Sequence, residues 1–274
     1  MPEEIPKPKK RARRAPGAEK DIAPVLEGWD YEAGAINVRK VVGLDGREKL
    51  QMRLDLGLLQ MEVSGRPDGR RPHGRESYLE YYEEQLEAYE RDNGATVGFS
   101  LSAEQCEELR DEAVMYYHRY LSLFILGDFQ AVIRDTARNL RVMDLCGEFG
   151  ADDQDRLVLE QYRPYVLMMN TRATASLEFK EEQFQRALGT VTDGLDRIRE
   201  FFVRFGQQEA FDKSNEVKIL KRFARDIRRK LPVDPLERLQ SKLNKAVKRE
   251  DYEEAAKLRD EIMVRKNQRE RSGA

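Results

Sequence analysis

The spacing of apolar residues divides the chain into a short β region and a long helical region. From Ile36 to Val63, apolar and polar positions alternate, which is typical of half-buried strands. Asp45-Gly46 marks a tight turn, and the apolar phase shifts by one position after Gly57, as a bulge or tight bend there would explain. The pattern predicts a small antiparallel sheet of two or three strands, which must pack against helices to be stable.

From Glu76 onward, apolar residues recur every three or four positions, which predicts amphipathic helices. Asn93-Gly94 ends the first helix, and Ser102 with Gln105 forms a capping box for the next, which ends at Gly127-Asp128. Pro164 starts or kinks a later helix. The predicted fold is therefore mainly α, with a small antiparallel β-hairpin near the N-terminus, a helical body and a C-terminal antiparallel helical hairpin.

The helical body is either a stack of repeated helix pairs or a plain bundle. Residues 117–145, with Gly127-Asp128-Phe129 at their turn, resemble a tetratricopeptide unit. Phe184 and Ala187 occupy comparable places in a second pair that spans residues 153–205. The resemblance implies an α-helical repeat.

The C-terminal segment from Asp234 to Ile262 predicts two short helices that pair. Asp234 caps the first helix and Pro235 opens it, and a polar break at residues 248–251 lets the chain reverse. Each helix has one narrow apolar stripe, formed by Leu236, Leu239, Leu243 and Ala246 in the first and by Tyr252, Ala255, Leu258 and Ile262 in the second. About thirty residues are too few to stabilise a core, so we expect a second hairpin or a partner groove to cover the rest of the stripe.

This pattern resembles the UVR motif, named for segments of UvrB and UvrC, and also present in McsA-type kinase activators and ClpC-type chaperones. The resemblance is carried by the apolar stripes together with Asp251, Glu253, Ala256, Arg259 and Asp260. It implies binding of a protein partner or self-association through helices. The residues that it assigns to partner binding are Leu239, Leu243, Ala246, Tyr252, Ala255, Leu258, Arg259 and Ile262. The alternatives are an accessory factor in nucleotide excision repair and an ordinary terminal hairpin folded on the protein's own core.

Charge is unevenly distributed along the chain, although the formal net charge is −2. Residues 1–20 carry +4 and residues 218–274 carry +8, so the segment between them carries −14. Basic ends fit nucleic acid, an acidic partner, or self-association with another copy's acidic middle. The basic cluster of residues 7–14 lies in a segment, 1–28, that predicts a disordered tail, either a nucleic-acid contact or a solubilising extension.

Two further basic segments are candidate contacts for nucleic acid or another anion. The predicted helix from Asn215 to Lys230 has a basic stripe formed by Lys218, Arg222, Arg225 and Arg229, opposite an apolar stripe. The loop 65–75 presents Arg66, Arg70 and Arg71 among glycines and prolines. The alternatives are a solvated helix face and a connector whose arginines pair with the acidic helix that follows.

No motif for catalysis, a metal or a cofactor is present in the sequence. His73, His118, Cys106 and Cys146 are too scattered for a zinc site, and neither cysteine has the cationic or helix-start context that activates a thiol. Both cysteines fall at apolar helical positions, which favours buried free thiols. Because no catalytic or cofactor signature is present, we expect no small-molecule substrate. No apolar run is long enough for a membrane span or a signal peptide, so we expect a cytoplasmic protein.

The expected organisation has five parts: a disordered basic tail over 1–28, the β-hairpin and Arg-rich loop over 29–75, the helical body over 76–231, the UVR-like hairpin over 232–266, and a disordered tail over 267–274. The function that we expect is a non-enzymatic adaptor that docks through the hairpin, with the nucleic-acid-binding accessory factor as the alternative.

Overall fold

A computed structural model describes residues 20–231 and 235–272. The basic cluster of residues 7–14 and the predicted capping residue Asp234 lie outside the described residues. In the described part the fold is mainly α, as predicted. Its helices are α1 (Ala23–Leu26), α2 (Tyr78–Asn93), α3 (Ala103–Ile125), α4 (Phe129–Phe149), α5 (Asp153–Leu157), α6 (Arg163–Lys180), α7 (Phe184–Arg204), α8 (Asn215–Arg228), α9 (Pro235–Lys248) and α10 (Tyr252–Ser272).

The chain forms two compact units, one up to Ala173 and one from Thr174, that divide within α6. Helix α1 lies inside the segment predicted as a tail, and Arg39 donates a hydrogen bond to the Val25 carbonyl of that helix. At the other end, α10 continues to Ser272, past the predicted end of the hairpin at residue 266. The predicted domain boundaries at residues 75 and 231 stay predictions.

The β region is a three-stranded antiparallel sheet in the order β1 (Val38–Val42), β2 (Glu48–Arg53), β3 (Leu58–Glu62). Leu50 pairs with Met61 and Met52 pairs with Leu59, so the apolar residues that change phase after Gly57 meet on one face. The shift is explained by a tight turn, in which Leu54 N donates to the Gly57 carbonyl. Leu56 is 88% exposed, because the chain leaves the strand after Arg53.

The first unit is organised around the antiparallel pair α3 and α4. The predicted capping box is present at Ser102 and Gln105, and Gly127 turns the chain with φ +73°. Buried ion pairs join the two helices, one between Arg119 and Asp135 and one between Arg138 and Glu112. These charged residues sit at positions that helical periodicity assigns to the interior, so the core is partly ionic.

Glu112 also fixes the start of α2. Its carboxylate accepts hydrogen bonds from the backbone N–H groups of Tyr78 (2.9 Å) and Leu79 (3.4 Å). The first N–H groups of a helix have no partner within the helix, and a carboxylate there is also stabilised by the helix dipole. A buried side chain of α3 thus caps a helix that begins 34 residues earlier in the chain.

In the second unit, α7 and α8 pack together with a 3₁₀ helix over Gln208–Lys213. Their buried faces include Val191, Ile198, Leu220 and Ile227. Helices α9 and α10 form the C-terminal antiparallel pair. Among the described residues, no helix is long and apolar enough to cross a membrane.

The same turn occurs in three helix pairs. In each, a residue with positive φ is followed by a polar residue and then by an aromatic residue that starts the next helix: Gly127-Asp128-Phe129, Glu182-Gln183-Phe184 and Glu250-Asp251-Tyr252. In each, the N–H of the polar residue donates to the carbonyl five residues earlier, at 2.9 to 3.0 Å. This recurrence agrees with the predicted repetition of helix pairs; the tetratricopeptide fold itself stays a prediction.

Candidate docking site on the C-terminal hairpin

The turn between α9 and α10 is closed by the backbone of its own residues. Glu250 has φ +59°, its N–H donates to the Val247 carbonyl, and the N–H of Asp251 donates to the Ala246 carbonyl. Asp251 then caps α10, since its carboxylate accepts a hydrogen bond from Glu254 N at 3.2 Å. The polar break in the sequence is therefore a specific turn that sets the two helices antiparallel.

The apolar stripes of α9 and α10 face each other in a seam. Its buried members are Leu239, Ala246, Ala255, Leu258 and Ile262, and Leu243 is half-buried against them. The seam residues form pairs whose two members lie equally far from the turn, as the register of an antiparallel pair requires. These pairs are Ala246 with Ala255, Leu243 with Leu258, and Leu239 with Ile262. The two alanines lie nearest the turn and allow the helices to approach closely there.

This burial corrects one expectation from the sequence. We expected two short helices to leave their stripe uncovered, but the five buried seam residues are at most 8% exposed. Among the residues that the structure describes, their hydrophobic cluster contains members of α9 and α10 only. A single row of small and branched side chains on each helix is narrow enough for one partner helix to cover. A partner can reach these five residues only by opening the hairpin.

The remaining two residues that the resemblance assigns to partner binding, Tyr252 and Arg259, lie outside the seam. Tyr252 is 70% exposed, and the Arg259 side chain is 73% exposed and pairs with its neighbour Asp260. Met263 and Val247, which the sequence reasoning did not select, are 60% and 50% exposed.

These exposed residues share one side of the hairpin. Val247 and Met263 each directly follow a seam residue, and in an antiparallel helix pair the same rotation of about 100° carries both to the same side. Tyr252 and Arg259 precede Met263 by eleven and four residues, which are about three turns and one turn, so they lie on that side as well. We call Val247, Tyr252, Arg259 and Met263 the docking face. Val264 is also exposed, at 53%, but lies on the side of α10 away from α9.

The basic stripe of α8 is exposed along its whole length. Lys218, Arg222, Arg225 and Arg229 all face solvent, opposite the buried Val217, Leu220, Ala224 and Ile227. Arg229 pairs with Asp226 at 3.4 Å. Among the described residues, Lys218, Arg222 and Arg225 have no acidic partner within ion-pair distance, so three of the four cations are free to contact an external anion.

The Arg-rich loop is divided between a structural and an exposed part. The Arg66 side chain is only 10% exposed; it lies 3.3 Å from the buried Glu112 carboxylate and 5.0 Å from the centre of the Tyr78 ring. Arg66 therefore anchors the loop on α3, whereas the alternative from the sequence paired the loop arginines with the acidic helix that follows, α2. Arg70 and Arg71 remain exposed, with Arg70 3.9 Å from Asp68.

No group of His, Cys, Asp and Glu side chains able to hold a metal ion occurs in the described part of the chain. His73 instead stacks on Tyr81, with ring centres 4.0 Å apart, and burial lowers the pKa of His118. Cys106 and Cys146 are free and buried, as predicted.

Residues 234–268 match the family model described as the UvrB/uvrC motif, which confirms the resemblance for about an eighth of the chain. No curated protein and no solved structure matches the chain.

Proposed function

We propose that this protein is a cytoplasmic, non-enzymatic adaptor that binds another polypeptide through the docking face of its UVR hairpin. The observation that carries the proposal is the combination of a closed apolar core inside α9 and α10 with three large apolar side chains exposed on one side of the pair. Such a hairpin holds its shape before a partner arrives, so less ordering is needed on binding.

The chemistry of the docking face fits a helical protein partner. Tyrosine, methionine and arginine are enriched in protein interfaces. Tyr252 and Met263 are about three turns apart on one helix, a distance that a facing helix can span. The partner is a second copy of this chain or a different protein with a matching apolar groove.

Purification of the full chain from its own cells, with and without residues 232–274, tests the proposal. The adaptor account predicts that specific proteins, or a tagged second copy of the chain, are recovered only with the complete chain. Identical recovery from both forms would contradict it. Circular dichroism of the shortened chain is the control, because cooperative thermal unfolding would show that the first unit still folds without residues 232–274.

The second candidate function is nucleic-acid binding through the stripe on α8. It is supported by Lys218, Arg222 and Arg225, which have no acidic partner in the described part of the chain, because arginine and lysine side chains in a row can contact successive phosphates. Affinity for duplex DNA or RNA should fall with rising salt, with a slope that reflects the number of phosphates contacted.

Charge reversal tests this candidate. Changing Lys218, Arg222, Arg225 and Arg229 to Glu should abolish filter binding at low salt. A matched control changes Lys242, Lys245, Lys248 and Arg249 to Glu. These four residues are exposed on the hairpin, and their substitution changes the net charge by the same amount. Equal loss in both variants would indicate a general charge effect, and absence of binding by the unchanged protein at low salt would eliminate the candidate.

A further inference from the structure

The chain has two cysteines, and the fold brings them to the same level of one helix pair. Asn139 of α4 donates a hydrogen bond of 2.9 Å to the Ala113 carbonyl of α3, which fixes the antiparallel register. Cys106 lies seven residues before Ala113, and Cys146 lies seven residues after Asn139. Seven residues are about two helical turns, so both side chains return to the α3–α4 interface at the same height. Both residues are buried, at 0% and 1% exposure.

The two thiols interact directly and are not equivalent. A hydrogen bond with Cys146 lowers the pKa of Cys106, and the same contact together with burial raises the pKa of Cys146. Cys106 is also the fourth residue of α3, where the helix dipole favours a thiolate, contrary to the expectation that neither cysteine lies at a helix start. Cys106 is therefore the sulfur suited to attack, with Cys146 hydrogen-bonded to it.

We propose that Cys106 and Cys146 form a reversible disulfide that ties the start of α3 to the end of α4. With a hydroperoxide as the oxidant, the Cys106 thiolate attacks the peroxide oxygen, the O–O bond breaks, and Cys106 becomes a sulfenic acid as water or an alcohol leaves. The Cys146 sulfur then attacks the Cys106 sulfur, the S–O bond breaks, and water leaves with the Cys146 proton. A dithiol reductant returns both residues to thiols and is itself oxidised to a disulfide.

Burial sets the speed of this reaction. Neither sulfur is accessible in the closed structure, so oxidation must follow local opening of the α3–α4 ends. The rate should therefore rise in urea concentrations that leave the protein folded. The closed disulfide restrains the unfolded chain between residues 106 and 146 and should raise the urea midpoint of the first unit.

The test treats the reduced, full-length protein with hydrogen peroxide, unfolds it in an alkylating reagent and measures its intact mass. We expect the peroxide-treated protein to remain a monomer in which neither cysteine is alkylated, and to yield a linked peptide containing Cys106 and Cys146. After reduction with dithiothreitol, both cysteines should be alkylated again. Dimedone should label Cys106 in the Cys146→Ser variant, and Cys106→Ser should leave Cys146 unoxidised.

Two results would overturn the proposal. One is full alkylation of both cysteines after peroxide treatment, including treatment in mild urea. The other is oxidation that gives only intermolecular disulfides or sulfinic acid. If a serine variant does not fold, the corresponding alanine variant replaces it, and peptide mapping of the unsubstituted protein decides the pairing by itself.

Discussion

Arg119 of α3 donates two hydrogen bonds to Asp135 of α4, at 2.7 and 2.9 Å, in an ion pair that is almost completely buried. The guanidinium also donates to the carbonyls of Glu62 and Gly65, at 3.2 and 2.6 Å, so it joins the end of the sheet to both helices. Because every polar group in this arrangement has a partner, the arrangement specifies one packing of the sheet on the helix pair.

Removing one member of this pair should be strongly destabilising. Asp135→Ala leaves the Arg119 charge buried without its carboxylate, and we expect a loss of about 3–5 kcal/mol in the free energy of unfolding. Urea denaturation measures this loss. Glu253→Ala, which breaks the exposed pair with Lys257, is the control and should cost less than about 0.5 kcal/mol. Equal effects of the two changes would contradict the structural role of Asp135.

The hairpin turn allows a stabilising substitution. Glu250 has φ +59°, a backbone conformation that glycine adopts more easily than glutamate, and Gly127 occupies the corresponding place between α3 and α4. Glu250→Gly should stabilise the hairpin by about 0.5–1 kcal/mol. Hydrogen exchange of residues 235–272 measures the effect. Glu182→Gly should act in the same direction on the turn before α7, whereas Gly127→Ala should be destabilising.

Alkaline pH should weaken the first unit. Burial raises the pKa of Tyr116 to about 12 and raises the pKa of Tyr82 and Tyr120 as well. An unfolded tyrosine ionises near pH 10. Between these values the unfolded chain has lost protons that the folded chain retains, so stability is complete below pH 10 and falls as pH rises toward 12. Urea midpoints at pH 8, 10 and 11 check this, and Tyr120→Phe should make the decline less steep. A midpoint that does not change over this range would refute it.

A charge in the seam should unfold the hairpin without unfolding the first unit. Leu258 is 7% exposed within the α9–α10 cluster, so Leu258→Asp places an unpaired carboxylate in an apolar contact. We expect amide protection to be lost across residues 235–272 and kept from residue 20 to residue 173. Protection that persists in α9 and α10 would show that the seam does not hold these helices together.

Much of this fold could be predicted from local sequence signals. The strand alternation, the capping box at Ser102, the stop at Gly94 and the helix start next to Pro164 each reflect a preference of a few adjacent residues, and the structure contains all of them. The pairing of Leu50 with Met61 follows from the same alternation, because the residues of one face must meet.

The interactions that could not be predicted are long-range and polar. Glu112 is a charged residue on a charged helix, and only the fold shows that its carboxylate caps α2 and pairs with Arg138. Arg66 resembled a residue for anion binding because its sequence neighbours are basic, but besides the nearby Asp68 it pairs with Glu112, 46 positions away on α3. For the hairpin, periodicity identified the seam, whereas the docking face became apparent only once the seam was seen to be closed.

The most direct test of the adaptor account changes the docking face and leaves the seam unchanged. Val247, Tyr252 and Met263 are replaced together by Gln, and Val264→Gln is the matched control on the other side of α10. Sedimentation velocity measures self-association, and affinity purification followed by mass spectrometry measures partner binding. The account predicts at least a tenfold weaker association for the triple variant, with an unchanged circular dichroism spectrum and with control association equal to that of the original protein. Association that survives the triple substitution undiminished would contradict docking through this face.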